Sequence, residues 1–144
     1  LGELWTARRD GRIKLFAMAR ALRARRARRH LFERGEYVPL RLLGPQAAHL
    51  FAFARRDADG VAITCVPRLV ASLAVARQLD STVSLTGPDA WGDSAIELPD
   101  GLVTTTMRDV FTGRTIEPHR AGAAATLDVG EIFRDFPFTL LVTR

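Results

Sequence analysis

The periodicity of the chain changes once, at Gly35, and that change limits the folds open to it. Over residues 10–31 apolar side chains recur every three or four positions, the spacing of one helix face. After Gly35 they come in short, β-branched runs separated by turn residues such as Asp57-Ala58-Asp59-Gly60, Pro99-Asp100-Gly101 and Thr112-Gly113-Arg114. One helix followed by short strands at that spacing predicts a mainly β chain: a long N-terminal helix, then an antiparallel β-sandwich. The expected division is a helical segment, 1–34, and a sandwich, 35–144.

The helix has candidate punctuation at both ends, Asp10 as N-cap and Gly35 as stop. Its first half is apolar around much of its circumference. Ile13, Phe16, Ala17, Ala21 and Ala24 form one stripe, with Leu15, Met18, Ala19 and Leu22 beside it. A helix at the surface of a small domain needs one apolar stripe, so this one expects neighbours on several sides. Without them the spare band should fold back on the sandwich or pair with a second copy, making a homodimer through the N-terminal helix.

Among the strands, 50–66 reads as a hairpin turning at Asp57-Ala58-Asp59-Gly60. Further strands are expected over 37–43, 94–98, 102–107, 115–117, 123–127 and 138–142, with a single helical turn over 129–135. Residues 67–79 fit a short helix or an apolar loop equally well.

Charge divides at the same place as periodicity. The chain of 144 residues carries a net +5, but residues 1–34 hold 11 Lys/Arg against three acids, and residues 35–144 are mildly acidic. Five arginines crowd the end of the helix: Arg23, Arg25, Arg26, Arg28 and Arg29. Cations there complement the helix dipole and can pair with acids of an adjoining domain. No nucleic-acid module or base-stacking platform accompanies them, so nucleic acid is not an expected partner. Apolar residues make up 47%, which suits a packed core and argues against disorder. Neither a membrane span nor a secretory leader is legible, and the expected setting is cytoplasmic.

Motifs that carry chemistry are sparse. The single cysteine, Cys65, sits in an apolar run and reads as a small buried hydrophobe. His30, His49 and His119 have no metal-ligand spacing, and the serines stand in no nucleophile elbow. Glycine-rich phosphate loops are absent too, so no catalytic residue, metal or cofactor is assigned. Trp5, Tyr37 and Trp91 have flat apolar faces that suit sugar rings. Trp91, in the Gly/Asp-flanked stretch Asp89-Ala90-Trp91-Gly92-Asp93, and Tyr37 are the candidate glucan contacts.

Several stretches, in order along nearly the whole chain, resemble the maltooligosyl trehalose synthase family. They include Asp10-Gly11-Arg12-Ile13-Lys14-Leu15, Leu31-Phe32-Glu33-Arg34-Gly35-Glu36-Tyr37-Val38-Pro39-Leu40 and Phe51-Ala52-Phe53-Ala54-Arg55-Arg56. Val66-Pro67-Arg68-Leu69, Trp91-Gly92-Asp93, Asp109-Val110-Phe111-Thr112-Gly113-Arg114 and Phe133-Arg134-Asp135-Phe136-Pro137 continue the likeness.

The resemblance implies an α-amylase superfamily glycoside hydrolase, in which a (β/α)₈ catalytic barrel precedes a C-terminal β-sandwich. Residues 10–31 would then be the last helix of a barrel that this chain lacks. The implied reaction converts the reducing-end α-1,4 linkage of a maltooligosaccharide to an α,α-1,1 linkage by retaining intramolecular transglucosylation. Its Asp nucleophile, Glu acid/base and second Asp belong to the barrel strands, and no residue here matches them. The expected role is a non-catalytic C-terminal domain whose partner is the barrel of the same polypeptide. The alternative is a stand-alone α-glucan-binding sandwich that holds maltooligosaccharide.

Overall fold

The computed structural model describes residues 1–76, 85–102, 106–121 and 124–143. The N-terminal part is helical: α1 (Gly2–Thr6), a 3₁₀ turn at Arg8–Asp10, α2 (Arg12–Ala27) and α3 (Arg29–Arg34). Asp10 does not take the N-cap position expected of it. Gly11 does, in a left-handed conformation (φ 82°) that glycine adopts without strain. Asp10 braces the start from one residue further out, its carboxylate accepting from the Arg12 amide (2.9 Å) and Nε (2.7 Å).

The helix expected as one unit is two. It breaks at Arg28 (φ −126°, ψ 48°), and α3 seats Leu31 in the cluster on the sheet. At that break the Arg28 guanidinium donates to the Thr143 carbonyl at 3.0 Å, a contact 115 residues distant in sequence. Arginine is a good helix former, so nothing local marks the break.

Strands follow from Gly35: β1 (Glu36–Pro39), β2 (Arg41–Leu43), β3 (Leu50–Asp57) and β4 (Gly60–Pro67). Helices α4 (Val70–Ala76) and α5 (Pro88–Trp91) precede β5 (Ala95–Leu98), β6 (Met107–Asp109), β7 (Thr115–Ile116), β8 (His119–Ala121) and β9 (Ala124–Asp128). Helix α6 (Val129–Ile132), capped by the Asp128 carboxylate on the Glu131 amide (2.6 Å), leads to β10 (Thr139–Thr143). In the open choice over 67–79, Pro67 closes β4 and a helix forms at Val70–Ala76, while 77–79 lie outside the described residues. Of the strand expected over 102–107, Leu102 instead closes a 3₁₀ turn (Asp100–Leu102), Met107 opens β6, and 103–105 lie outside the described residues.

Two antiparallel sheets result, ordered β1-β3-β4-β10-β6-β7 and β2-β5-β9-β8 among the described residues. The β3–β4 hairpin forms as its strand-like content and turn predict, with Asp57 opposite Gly60. The Asp57 carboxylate accepts from the amides of Asp59 (2.9 Å) and Gly60 (3.1 Å), which makes this turn an Asx turn. The single strand expected over 37–43 is divided at Leu40. That residue is buried and its amide donates to the Ala52 carbonyl (3.2 Å). The chain then passes from one sheet to the other.

Between the sheets lies the main core: Ala52, Ala54, Val61, Ile63, Cys65, Met107 and Leu141 meet Ile96, Leu98, Ala125 and Leu127. A second cluster covers the opposite face of the six-stranded sheet. Ala62, Leu140 and Val142 pack there with Ala24, Leu31, Phe111 and Phe136, and Ile13, Phe16, Ala17 and Ala21 border them. The central strands β4 and β10 are thus buried on both faces, which is why they read as unbroken apolar runs. The architecture is a helix layer on a two-sheet sandwich.

Candidate functional site

Tyr37 has the exposure that a sugar contact needs. It projects from β1 on the outer face of the six-stranded sheet and is 47% exposed. Its ring stacks on Phe53 (centroids 5.1 Å, planes 28° apart), and Phe53 meets Phe51 at 5.9 Å. The β3 sequence Phe51-Ala52-Phe53-Ala54-Arg55 alternates with period two, so Phe51, Phe53 and Arg55 share that face while the alanines enter the core. Arg55 sits over the Tyr37 ring at 5.6 Å, its Nη1 donating to the Gly35 carbonyl (2.9 Å). The result is an exposed aromatic ledge beside a fixed cation. Sequence alone singles out only Tyr37, although the alternation around Phe51 and Phe53 is the signal for the rest.

Trp91 is elsewhere and cannot join this ledge. Its glycine- and aspartate-flanked setting suggests a surface loop, but it is fully buried (0% exposed). Pro88 at the head of α5 starts a single helical turn that swings the indole inward, edge-on to Phe133 at 5.3 Å. The indole N–H donates to the Leu85 carbonyl at 2.8 Å, so its polar edge is satisfied in place. As a glucan contact Trp91 is therefore corrected to a core residue. Trp5, on α1, is half-buried and packs edge-on to Phe136 at 5.7 Å with Arg8 over its ring.

Cys65 is buried on β4, and desolvation pushes its thiol up to about 12, far from the thiolate a nucleophile needs. His30 pairs with Asp57 at 3.0 Å, and that bond, with the Asp59 and Gly60 amides, holds the Asp57 carboxyl below its ordinary range. His49 and His119 lie on other parts of the sandwich. Among the described residues no three His, Cys, Asp or Glu side chains gather as a metal site would require. Nor is any described helix long and apolar enough to cross a membrane.

Among the described residues the carboxylate most protected from water is Asp109, 1% exposed. It organises the turn after β6: its Oδ1 accepts from the Phe111 amide (3.0 Å) and its Oδ2 from the Thr112 hydroxyl (2.7 Å). Burial raises its pKa, against the opposing pull of those hydrogen bonds. Glu131 is held between Arg114 and Arg134. These acids tie loops to the sheets.

The arginines of the helical segment have different surroundings. Arg25 and Arg29 reach Glu33 (3.8 and 2.9 Å), while Arg20 and Arg28 turn to backbone carbonyls of Val110 (2.8 Å) and Thr143 (3.0 Å).

No family model matches the chain. Two Mycobacterium tuberculosis proteins, from strains CDC 1551 / Oshkosh and ATCC 25618 / H37Rv, provisionally named maltooligosyl trehalose synthase, are 33% identical to it over 129 residues. That stretch is 90% of this chain and 13% of each relative. A mutant maltooligosyltrehalose synthase from Arthrobacter ramosus, of known structure, superposes with a TM-score of 0.59 at 34% identity, over 85% of this chain and 12% of that one. The chain thus spans about one-eighth of the length of these relatives. In sequence and in fold, over most of its length, it is similar to one segment of maltooligosyl trehalose synthase.

Proposed function

We propose that the chain is the C-terminal, non-catalytic domain of a maltooligosyl trehalose synthase, with residues 1–34 closing the catalytic barrel and residues 35–144 bracing it. The parent would convert the reducing-end α-1,4 linkage of maltooligosaccharides to α,α-1,1 by retaining intramolecular transglucosylation. The observation that carries this reading is the two-sided helix α2. One side, Ile13, Phe16, Ala17, Ala21 and Ala24, packs toward the six-stranded sheet. At about 100° per residue, Leu15, Met18 and Leu22 lie roughly opposite. They are 70%, 51% and 60% exposed, an apolar stripe suited to a second neighbour. Burying a side chain of that size contributes about 1.5–3 kcal/mol, enough for three of them to seat the helix on a barrel.

The test is an assay of the purified chain with maltoheptaose. Reducing ends should stay constant and no maltooligosyl trehalose should form; turnover by these 144 residues alone would overturn the non-catalytic role. Separated from a barrel, the stripe should pair with a second copy. Sedimentation should then show concentration-dependent dimers of the native chain, and the double variant Leu15→Glu, Leu22→Glu should remain monomeric. Dimers that persist in this variant would place self-association on another surface.

A second reading, a glucan-binding sandwich, is favoured by the exposed Tyr37–Phe53–Phe51 ledge. It expects Tyr37→Ala to weaken maltoheptaose binding about tenfold, roughly 1.4 kcal/mol. Unchanged affinity in a titration would remove the ledge as a sugar platform.

A further inference from the structure

One cleft of about 600 Å³ is left out of both readings. It opens between α2 and the turn joining β6 to β7, lined by four arginines, Arg20, Arg23, Arg28 and Arg108, with apolar wall residues Ala24, Val110 and Val142. No carboxylate is among its described lining residues. Several described arginines outside the cleft do pair with acids: Arg12 with Asp10, Arg29 with Glu33, Arg41 with Glu97, Arg56 with Glu36, and Arg114 with Glu131. Here four like charges share one concavity without a counter-charge among those residues, an arrangement that repels itself until an anion enters.

Two of the four are fixed in advance. Arg20 gives its Nε to the Val110 carbonyl and Arg28 gives its Nη2 to the Thr143 carbonyl, so each guanidinium is oriented while its other N–H groups stay free to donate. Donors held in place by the backbone lose little conformational freedom on binding. Arg23 and Arg108 are exposed and stand at the same opening, from the helix and from β6 respectively. On α2, Arg20 and Arg23 lie on a different flank from Leu15, Met18 and Leu22, so covering the apolar stripe would not require filling the cleft. With its apolar walls, the cleft has a volume within the range of small-molecule sites, not of a lone ion.

We infer that this cleft binds a small phosphate-bearing molecule, a phosphate ester or a diphosphate, through Arg20, Arg23, Arg28 and Arg108. Guanidinium forks match phosphate oxygens two at a time, and several converging on one site suit a multiply charged group. The inference stands apart from the proposed function and is tested without any activity assay. Inorganic pyrophosphate is titrated calorimetrically into the full chain at constant ionic strength, beside the double variant Arg23→Ala, Arg108→Ala. Neither of those arginines is bonded to the scaffold in the contacts described above, so the variant should keep the native circular dichroism spectrum.

Saturable binding is expected for the native chain, with a dissociation constant of about 0.1–1 mM and at least tenfold weaker binding in the variant. Bound pyrophosphate should also raise the melting temperature of the native chain, and less so that of the variant. Absence of saturable binding at tenfold the upper value, about 10 mM, would overturn the site, as would equal affinity in the variant. Tighter binding of a short RNA than of pyrophosphate, with steep salt dependence, would overturn it in favour of a nucleic-acid surface.

Discussion

Replacing Trp91 with alanine should lower the unfolding free energy by about 3–5 kcal/mol, the usual cost of removing a large aromatic side chain from a core. The indole is fully enclosed, rests edge-on against Phe133 and gives its N–H to the Leu85 carbonyl. Against the roughly 5–15 kcal/mol typical of a domain, that loss is a large fraction of the total. Trp91→Phe separates the two contributions. It keeps an aromatic body but leaves the Leu85 carbonyl without its donor, and should cost less, about 1–3 kcal/mol. Urea denaturation followed by circular dichroism measures both. A Trp91→Ala variant as stable as the native chain would mean that the indole is not in the core.

Asp109→Ala should cost about 2–4 kcal/mol by a different mechanism. It removes the acceptor for the Phe111 amide and the Thr112 hydroxyl in a place where water cannot substitute. Asp109→Asn keeps an acceptor and removes the charge, which exposes the effect of pH. Burial raises the Asp109 pKa in the folded chain above its unfolded value. The group therefore stabilises fully below the ordinary Asp value, and that contribution is lost as pH rises through the raised one. The stability of the native chain minus that of Asp109→Asn should decrease as pH is taken upward through this window. A difference that grows instead would show a carboxylate preferred in its charged form. Asp57, whose carboxyl is lowered, is present in both proteins and cancels from the comparison.

What could be read from sequence depended on whether the cause was local. The β3–β4 hairpin was legible because two strand-like runs and the turn Asp57-Ala58-Asp59-Gly60 agree over adjacent residues. Helix α2 was legible from its period, and its apolar second side was already visible in Leu15, Met18 and Leu22. The break at Arg28 was not, because the run around it consists of good helix formers and the carbonyl that Arg28 meets belongs to Thr143. Division of the expected strand at Leu40 escaped for a similar reason: the residue leaves one sheet for the other to reach the core, a tertiary demand without a turn signal.

Trp91 misled through composition. Glycine and aspartate on either side mark a surface stretch on average, yet a proline-started helical turn carries one large side chain inward. Tyr37 is exposed, but its stacking partner Phe53 lies on a neighbouring strand whose register decides the contact. Arg108 joins Arg20, Arg23 and Arg28 only through the packing of α2 on the sheet, so the cleft had no sequence signature.

The central claim, that this chain is a bracing segment of a synthase and performs no chemistry itself, is tested most directly by exchange. The matching segment of the Arthrobacter ramosus enzyme, about one-eighth of its length, is replaced by this chain, and maltooligosyl trehalose formation from maltoheptaose is measured. A segment that only braces the barrel should leave kcat within about tenfold of the parent, a barrier change of about 1.4 kcal/mol. A chimera with native circular dichroism that binds maltoheptaose but forms no product would contradict the account.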